Sequence, residues 1–163
     1  MYLIGDRVVH PMHGAGVIEN ITEERIGGQS CRYYVFRMPV GGLVLKIPTE
    51  NCAGVGIRSL SAPSEIQCVM DAIPQMKIDM TANWSLRYRE NMERLKSGNL
   101  MEVAAVIKGL MWRERKRGLS NGERKMLYNA KQILISEIVL VEDSEYDIVE
   151  QRINAAMFAE VEG

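Results

Sequence analysis

Short apolar segments separated by turn residues occupy the first 58 residues of the chain. The segments are rich in valine, isoleucine, leucine, tyrosine and phenylalanine, and two of the turns between them are Gly27-Gly28 and Gly41-Gly42. Adjacent glycines suit tight hairpins, because glycine adopts positive φ at no steric cost. The pattern predicts five strands, over Arg7–His10, Val17–Glu24, Cys31–Met38, Leu43–Ile47 and Val55–Arg58.

Five short strands with close turns are typical of a small SH3-like or Tudor-like β-barrel, in which closure removes exposed strand edges. The predicted strand Leu43–Ile47 carries apolar residues on both of its faces, whereas a barrel this small has one interior. Some of these side chains must therefore face outwards. Two hypotheses follow: the outer apolar strand, with Lys46 beside it, meets a partner protein, or the second half of the chain covers it.

From Pro63 onwards the apolar positions recur at helical spacing. The pairs Ser64 with Gln67 and Ser120 with Glu123 are capping-box patterns, which mark helix starts. Further starts are predicted at Asn83, Asn99 and Ser144, and a loop is predicted over Gln75–Thr81. The predicted fold is α+β with two domains, namely a small barrel over residues 1–60 and a compact all-α domain of about five helices over residues 61–163.

Charge is distributed unevenly along a chain whose net charge is only −1. Residues 84–131 carry 12 lysines and arginines against 5 acidic residues, whereas residues 142–163 carry one arginine against 7 acidic residues. A basic middle region favours nucleic-acid contact, although a solvated helical surface would have the same composition. The chain shows no run long enough to span a bilayer and no signal peptide, so we expect a cytoplasmic protein with no membrane partner.

Motifs for catalysis and metal binding are missing from the sequence. His10 and His13 lie in a turn, but no further histidine or paired cysteine completes a metal site. The three cysteines are widely spaced and odd in number, which does not indicate a disulfide framework. No nucleophile elbow, Ser/His/Asp set or phosphate-binding loop is found. The sequence therefore predicts a binding protein, with no enzymatic activity, cofactor, metal or small-molecule substrate.

The stretch Asn83-Trp84-Ser85-Leu86-Arg87-Tyr88-Arg89 predicts a helix that opens with an aromatic ring followed by two arginines. Asn83 suits the N-cap, and Arg87 follows Trp84 by about one turn on the same side, with Arg89 rotated further round. Such a ring between cations suits contact with nucleic-acid bases and phosphates. Alternatively, Trp84 begins a core stripe that continues through Tyr88, Met92 and Leu95.

Three motifs resemble the CarD/CdnL family of bacterial transcription regulators. Gly5-Asp6-Arg7-Val8-Val9-His10-Pro11-Met12-His13-Gly14 is similar to the family's G-D-x-V-V-Y-P-x-H-G opening. The Trp84 stretch resembles its N-W-S-x-R-Y segment, and residues 117–127 resemble its R-x-L-S-x-G-E-[KR]-x-M-L segment. The motifs occur in the family's order and cover nearly the whole chain.

The resemblance implies a Tudor-like domain that binds the β subunit of RNA polymerase and a helical domain that contacts promoter DNA. By this resemblance Trp84 enters the minor groove at the upstream bubble edge, in a largely sequence-independent manner, and Arg87 and Arg89 contact DNA. Arg25, Val44 and Lys46 form the expected polymerase site. Glu24 stands where some relatives carry an arginine, and Leu86 replaces a basic residue of others. The alternative is a protein–protein adaptor without direct DNA contact, whose Trp84 is buried.

Overall fold

A computed structural model of the protein describes residues 1–78 and 83–159. The first part forms one antiparallel sheet in which the hydrogen-bonded order is β4-β3-β2-β1-β5. The mixed α+β fold and Tudor-like first part agree with the sequence prediction. The strands are β1 (Arg7–His10), β2 (Gly14–Ile26), β3 (Gln29–Arg37), β4 (Val44–Pro48) and β5 (Arg58–Ser59).

The predicted Gly-Gly turns both occur. Gly27 and Gly28 have φ of 61° and 81° and join Ile26 to Gln29, which are paired across the hairpin. Gly41 and Gly42, also at positive φ, lie between β3 and β4. Predicted closure of the barrel is not seen in the strand order of residues 1–59, where β4 and β5 are both edges.

The last strand differs from the prediction of Val55–Arg58. Val55 ends a short helix, α1 (Cys52–Val55), after which Gly56 adopts φ of 94°. The Gly56 N–H donates to the carbonyl oxygens of Cys52 and Ala53, which closes the helix in the usual left-handed manner. Strand pairing therefore starts only at Arg58, which is opposite Val9 of β1.

Five helices pack around one apolar core in the second part of the chain. The core is built from aliphatic side chains that recur at helical spacing, including Val103, Ile107 and Leu110 on one helix and Leu134 and Ile138 on the next. The helices are α2 (Pro63–Ala72), α3 (Trp84–Lys96), α4 (Leu100–Arg117), α5 (Asn121–Glu142) and α6 (Tyr146–Met157).

Two predicted helix starts are shifted. The α2 helix begins at Pro63 rather than after Ser64, because proline is suited to the first helical position, where its missing N–H costs nothing. Glu65, not Gln67, then reaches back, with Oε1 accepting from the Ala62 N–H at 2.9 Å. The last helix begins at Tyr146 rather than directly after Ser144. Residues 79–81 of the predicted loop lie outside the described residues.

The sheet and the helices are joined mainly through α5. Ser136 Oγ of α5 accepts from the Ala15 N–H at 2.9 Å, and the backbone of Gly14 approaches so closely that an added Cβ would collide with the same hydroxyl. Arg7 Nη1 donates to the Leu140 carbonyl oxygen at 2.6 Å. At this junction the strand backbone and the α5 helix are in direct contact. These contacts fix the orientation of the sheet relative to α5.

A buried ion pair reinforces this junction. Arg58 donates from Nη1 and Nη2 to the two carboxylate oxygens of Glu137, at 2.9 and 2.7 Å. The Ser61 N–H donates to the same carboxylate at 2.8 Å. Glu137 is 0% exposed, so its charge depends on these three donors for compensation.

Across residues 1–78 and 83–159, no helix combines the length and apolar composition that a bilayer span requires.

Candidate nucleic-acid interface

Trp84 is the first residue of α3, and the predicted cap fixes that position. Asn83 Oδ1 accepts from the Leu86 N–H at 2.9 Å, which satisfies one of the free donors of the first turn. Because no helical turn precedes it, the indole lies at the tip of the helix. The side chain is 47% exposed, the highest exposure of a large aromatic in α3.

The indole is held rather than free. Its Nε1–H donates to Ser120 Oγ at 3.1 Å, and its ring stacks on Tyr88, with centroids 5.2 Å apart and planes inclined by 22°. Tyr88 in turn packs against the helical core. Trp84 is therefore neither a core residue nor a free-standing wedge: a packed and hydrogen-bonded ring keeps nearly half of its surface exposed.

Arg87, a predicted DNA contact, is engaged within the protein. Its guanidinium forms a two-point ion pair with Glu123, with Nε donating to Oε2 at 2.8 Å and Nη2 to Oε1 at 3.1 Å. The two side chains are only 11% and 2% exposed. This pair ties α3 to α5, and the DNA contact of Arg87 stays a prediction.

Ser120 connects the two halves of this network. Its hydroxyl accepts from Trp84, accepts the Glu123 N–H at 3.2 Å and donates to Glu123 Oε1 at 3.3 Å. The Ser120–Glu123 pattern was interpreted from sequence only as a capping box. Its serine does cap α5, but its glutamate turns to Arg87. The hydrogen-bonded series Trp84–Ser120–Glu123–Arg87 consequently fixes the orientation of the indole.

The electrostatics of Glu123 follow from this arrangement. Burial by itself would raise the pKa of the carboxyl group. Hydrogen bonds and charge from Arg87, the charge of Arg113 and the Ser120 hydroxyl outweigh burial, so the pKa lies below its ordinary value of 4.5. Glu123 is therefore ionised at neutral pH, as its ion pair requires.

Acid should weaken the fold through this group. Because the folded pKa of Glu123 is depressed, its contribution is complete above pH 4.5 and is lost as pH falls through the lower folded value. We expect the stability difference between the protein and Glu123→Gln to shrink over that window in urea unfolding. Glu102→Gln, which changes an exposed partner of Arg94, is the matched control and should show a smaller change. A constant difference for Glu123→Gln down to about pH 3 would contradict this role.

Exposed cations occupy the sequence on both sides of Ser120. The end of α4 carries Arg115, Lys116 and Arg117, and the start of α5 carries Arg124 and Lys125. Arg115 lies 3.8 Å from the centroid of the Phe158 ring and Lys116 lies 5.9 Å from that of Trp112, whereas Lys125 lines a cavity with Tyr88, on which Trp84 stacks. Exposed cations can bind phosphates without reading base sequence.

Arg89 is exposed, as a DNA contact requires. Five residues separate it from Trp84, so it projects from a different side of α3. The structure thus brings Trp84 together with Tyr88 and Ser120, and it leaves Arg89 further round the helix.

A buried lysine fixes the chain segment ahead of this site. Lys108 Nζ donates to the carbonyl oxygens of Ile73, Pro74 and Met76 at 2.7, 3.1 and 2.9 Å. Burial lowers its pKa. Lys108 was not predicted as a structural residue, although the sequence holds a signal for it: the residue falls within the apolar stripe of α4, next to Ile107. Its three donors match the three carbonyl groups of the turn that follows α2.

The sheet separates the residues of the expected protein-binding site. Val44 and Lys46 alternate with Leu45 and the buried Ile47, so they share the outer face of β4. Val44 is 52% exposed, which excludes coverage of this position by the helices. Lys46 pairs with Glu24 on the same face. Arg25 follows Glu24 along β2 and is exposed on the opposite face, apart from Lys46.

The histidine turn contains His10 and His13, and no group of three histidine, cysteine or acidic residues that could hold a metal ion is found among the described residues. His10 Nδ1 accepts from the Met12 N–H at 3.1 Å, so the ring stabilises its own turn. Burial and the nearby charge of His13 lower the pKa of His10 to about 4. The ring is therefore neutral at neutral pH and suited to accepting this bond.

Comparison with known proteins covers both parts of the chain. Residues 2–61 match the family model described as CarD-like/TRCF RID domain, and residues 68–154 match the model described as CarD, C-terminal domain. The chain is also similar to "Putative transcription factor YdeB" of Bacillus subtilis (strain 168). The two are 35% identical over 141 residues, which is 86% of this chain and 92% of that protein.

Proposed function

Because the chain belongs to the CarD family of transcription factors, we propose that it binds RNA polymerase and stabilises the promoter open complex through Trp84. In this proposal residues 1–60 bind the β subunit of the polymerase, and residues 61–163 contact promoter DNA at the upstream edge of the bubble. The protein acts in the cytoplasm without catalysing a reaction.

The exposed indole is the observation that carries the proposal. Trp84 is held at the helix tip by Ser120 and Tyr88, and nearly half of its surface is exposed and available for contact with bases. An adaptor that does not contact DNA was expected to bury Trp84, which is 47% exposed. Unstacking a base step costs a few kcal/mol. The indole can offset this cost only if it keeps its position when it contacts the bases, and Ser120 and Tyr88 hold it in that position.

Exposed cations supply the second element of binding. Arg117, Arg124 and Lys125 are exposed on the segments either side of Ser120, which binds the indole, and Arg89 is exposed on α3. They neutralise phosphates on either side of the inserted ring, and this contact is lost as salt concentration rises. Arg87 then acts indirectly, by holding α3 against Glu123. Little sequence specificity is expected, since phosphate contacts carry no base information.

Tethering to the polymerase makes a weak DNA contact sufficient. Binding of the sheet to the β subunit raises the effective concentration of promoter DNA at Trp84, to the millimolar range for short connections. The outer face of β4, with Val44 and Lys46, is the proposed docking surface. Arg25 lies on the other face of the hairpin, so it contributes only if the partner also reaches around the β2–β3 end.

Promoter-opening kinetics test the function directly. Purified polymerase and promoter DNA are mixed with and without the protein, and the decay of open complexes is followed after a competitor is added. The protein should slow the decay, and added salt should reduce its effect. Equal lifetimes with and without saturating protein would rule out the proposal.

Charge reversal at Lys46 should weaken polymerase binding while the fold stays intact. Lys46→Glu removes an attractive contact, with an expected loss of about tenfold in affinity, which is typical of a close charge pair at an interface. Glu24→Gln should have the opposite effect, because Glu24 partly neutralises Lys46. Arg25→Glu, on the opposite face, should reduce affinity less. Full retention of Lys46→Glu on immobilised β subunit would reject this surface.

A further inference from the structure

A basic cavity lies between α3 and α4, apart from the surface that carries Trp84. Its volume is about 150 Å³. One wall is α3, the other is α4, and Lys77 and Ile78 close one end. Its polar lining and floor are formed by Lys77, Arg87, Glu90, Arg94, Gly109 and Arg113.

Positive charge exceeds negative charge in this cavity among the described residues. Four of its lining side chains are cations and one, Glu90, is a carboxylate. Arg87 is neutralised by Glu123, and Arg94 makes a longer contact of 3.4 Å with the half-exposed Glu102. Lys77 and Arg113 share the lining with Glu90, and the charge of Arg113 also acts on Glu123. Four cations against Glu90 and the two flanking acids leave a local balance of one positive charge among the described residues.

Arg113 has an unused donor. Its Nη1 is buried and has no hydrogen-bond partner among the described residues. An unsatisfied buried donor costs about 1–3 kcal/mol, and more when the group is charged. Native structures leave few such groups without a ligand, an ion or a water, so this nitrogen requires a specific explanation.

The floor of the cavity is kept open by Gly109. An added Cβ at this position would meet nothing within 4 Å among the described residues, and Gly109 is not at positive φ. Neither packing nor backbone conformation therefore requires glycine, although glycine in a helix interior costs about 1 kcal/mol relative to alanine. Space above the α4 backbone is what this residue provides.

We propose that this cavity binds an oxyanion of phosphate size, with Arg113 and Lys77 as its principal donors. One water needs roughly 10–15 Å³ on the same measure, so the cavity admits a tetrahedral anion and several waters. Whole nucleotides are too large, because pockets for ligands of that size span roughly 300–1,000 Å³. The ligand is thus free phosphate or the terminal phosphate of a small molecule. The inference does not depend on DNA binding by Trp84.

Titration of the intact protein with inorganic phosphate at constant ionic strength tests the site. Calorimetry should give one equivalent of bound phosphate, and the Gly109 amide resonance should shift with the same saturation. Arg113→Met removes the unused donor and should lower phosphate affinity by about tenfold or more, the value of a charged hydrogen bond. Lys96→Met lowers the net charge equally from an exposed position at the end of α3 that does not line the cavity, and it is the matched control.

Lys77→Gln keeps the test decisive if Arg113→Met does not fold, because Lys77 is exposed and outside the core. It should also weaken phosphate binding, whereas Lys96→Met should change it by less than about twofold. Absence of saturable binding, or equal losses in Lys96→Met, would overturn the site. Displacement of phosphate by duplex DNA in proportion to DNA binding would also overturn it, by making the cavity a contact for the DNA backbone.

Discussion

Replacing Trp84 by alanine is expected to shorten open-complex lifetime by about 5- to 150-fold, because contact between a base and an aromatic ring is worth roughly 1–3 kcal/mol. Polymerase binding should be unchanged, since the residue lies on α3 and not on the sheet. The fold should also persist: a side chain that is 47% exposed supplies little of the core. Stopped-flow fluorescence of a labelled bubble measures the lifetime.

Two further variants define what the ring does. Tyr128→Ala removes a 64% exposed aromatic from α5 and should leave the lifetime unchanged. Ser120→Ala keeps the indole but removes its hydrogen bond, so an intermediate loss is expected if orientation matters. The hypothesis that Trp84 acts as a wedge is rejected if folded Trp84→Ala protein gives the same open-complex lifetime as the unchanged protein.

Replacing Arg58 by methionine is expected to lower the free energy of unfolding by about 3–5 kcal/mol, the usual cost of stranding one partner of a buried ion pair. Glu137 would keep only the Ser61 N–H as a donor in a position that is 0% exposed. Arg152→Met, which breaks the more exposed pair with Glu142, should cost only about 0–1 kcal/mol. Urea unfolding at neutral pH gives both values.

The double variant Arg58→Met/Glu137→Met separates charge from packing. Removing both charges relieves the stranded carboxylate, so much of the lost stability should return. A double variant as unstable as Arg58→Met alone would show that Arg58 acts through packing and its bond to the Gly98 carbonyl oxygen, not through Glu137.

Local rules located most elements of this fold. Both Gly-Gly turns lie where the sequence predicted, and Asn83, Asn99 and Ser120 each accept a backbone N–H at the predicted helix starts. Competition between adjacent signals explains the errors. Pro63 outweighed Ser64 as a start signal, and Gly56 ended a helix where alternating apolar residues predicted a strand.

Roles that depend on distant residues were harder to predict. Arg87 lies at the correct spacing for a DNA contact, but its partner Glu123 is 36 residues away in sequence and was interpreted as a cap. Spacing likewise could not decide between a core position and an exposed one for Trp84. The Trp84 ring stacks on Tyr88, as the apolar spacing predicted for a core stripe. Its position at the start of α3 nevertheless leaves part of the ring exposed.

The α5 helix also sets a fixed offset between the indole and the point at which the sheet is anchored. Ser120, at its start, touches the indole, and Glu137, in its second half, anchors the sheet. At a rise of 1.5 Å per residue these two points are about 25 Å apart. That span equals roughly seven base-pair steps of ~3.4 Å. A promoter whose bubble boundary is displaced by even one step would therefore present a different junction to the ring, and response to the protein should vary with that boundary rather than with nearby base sequence.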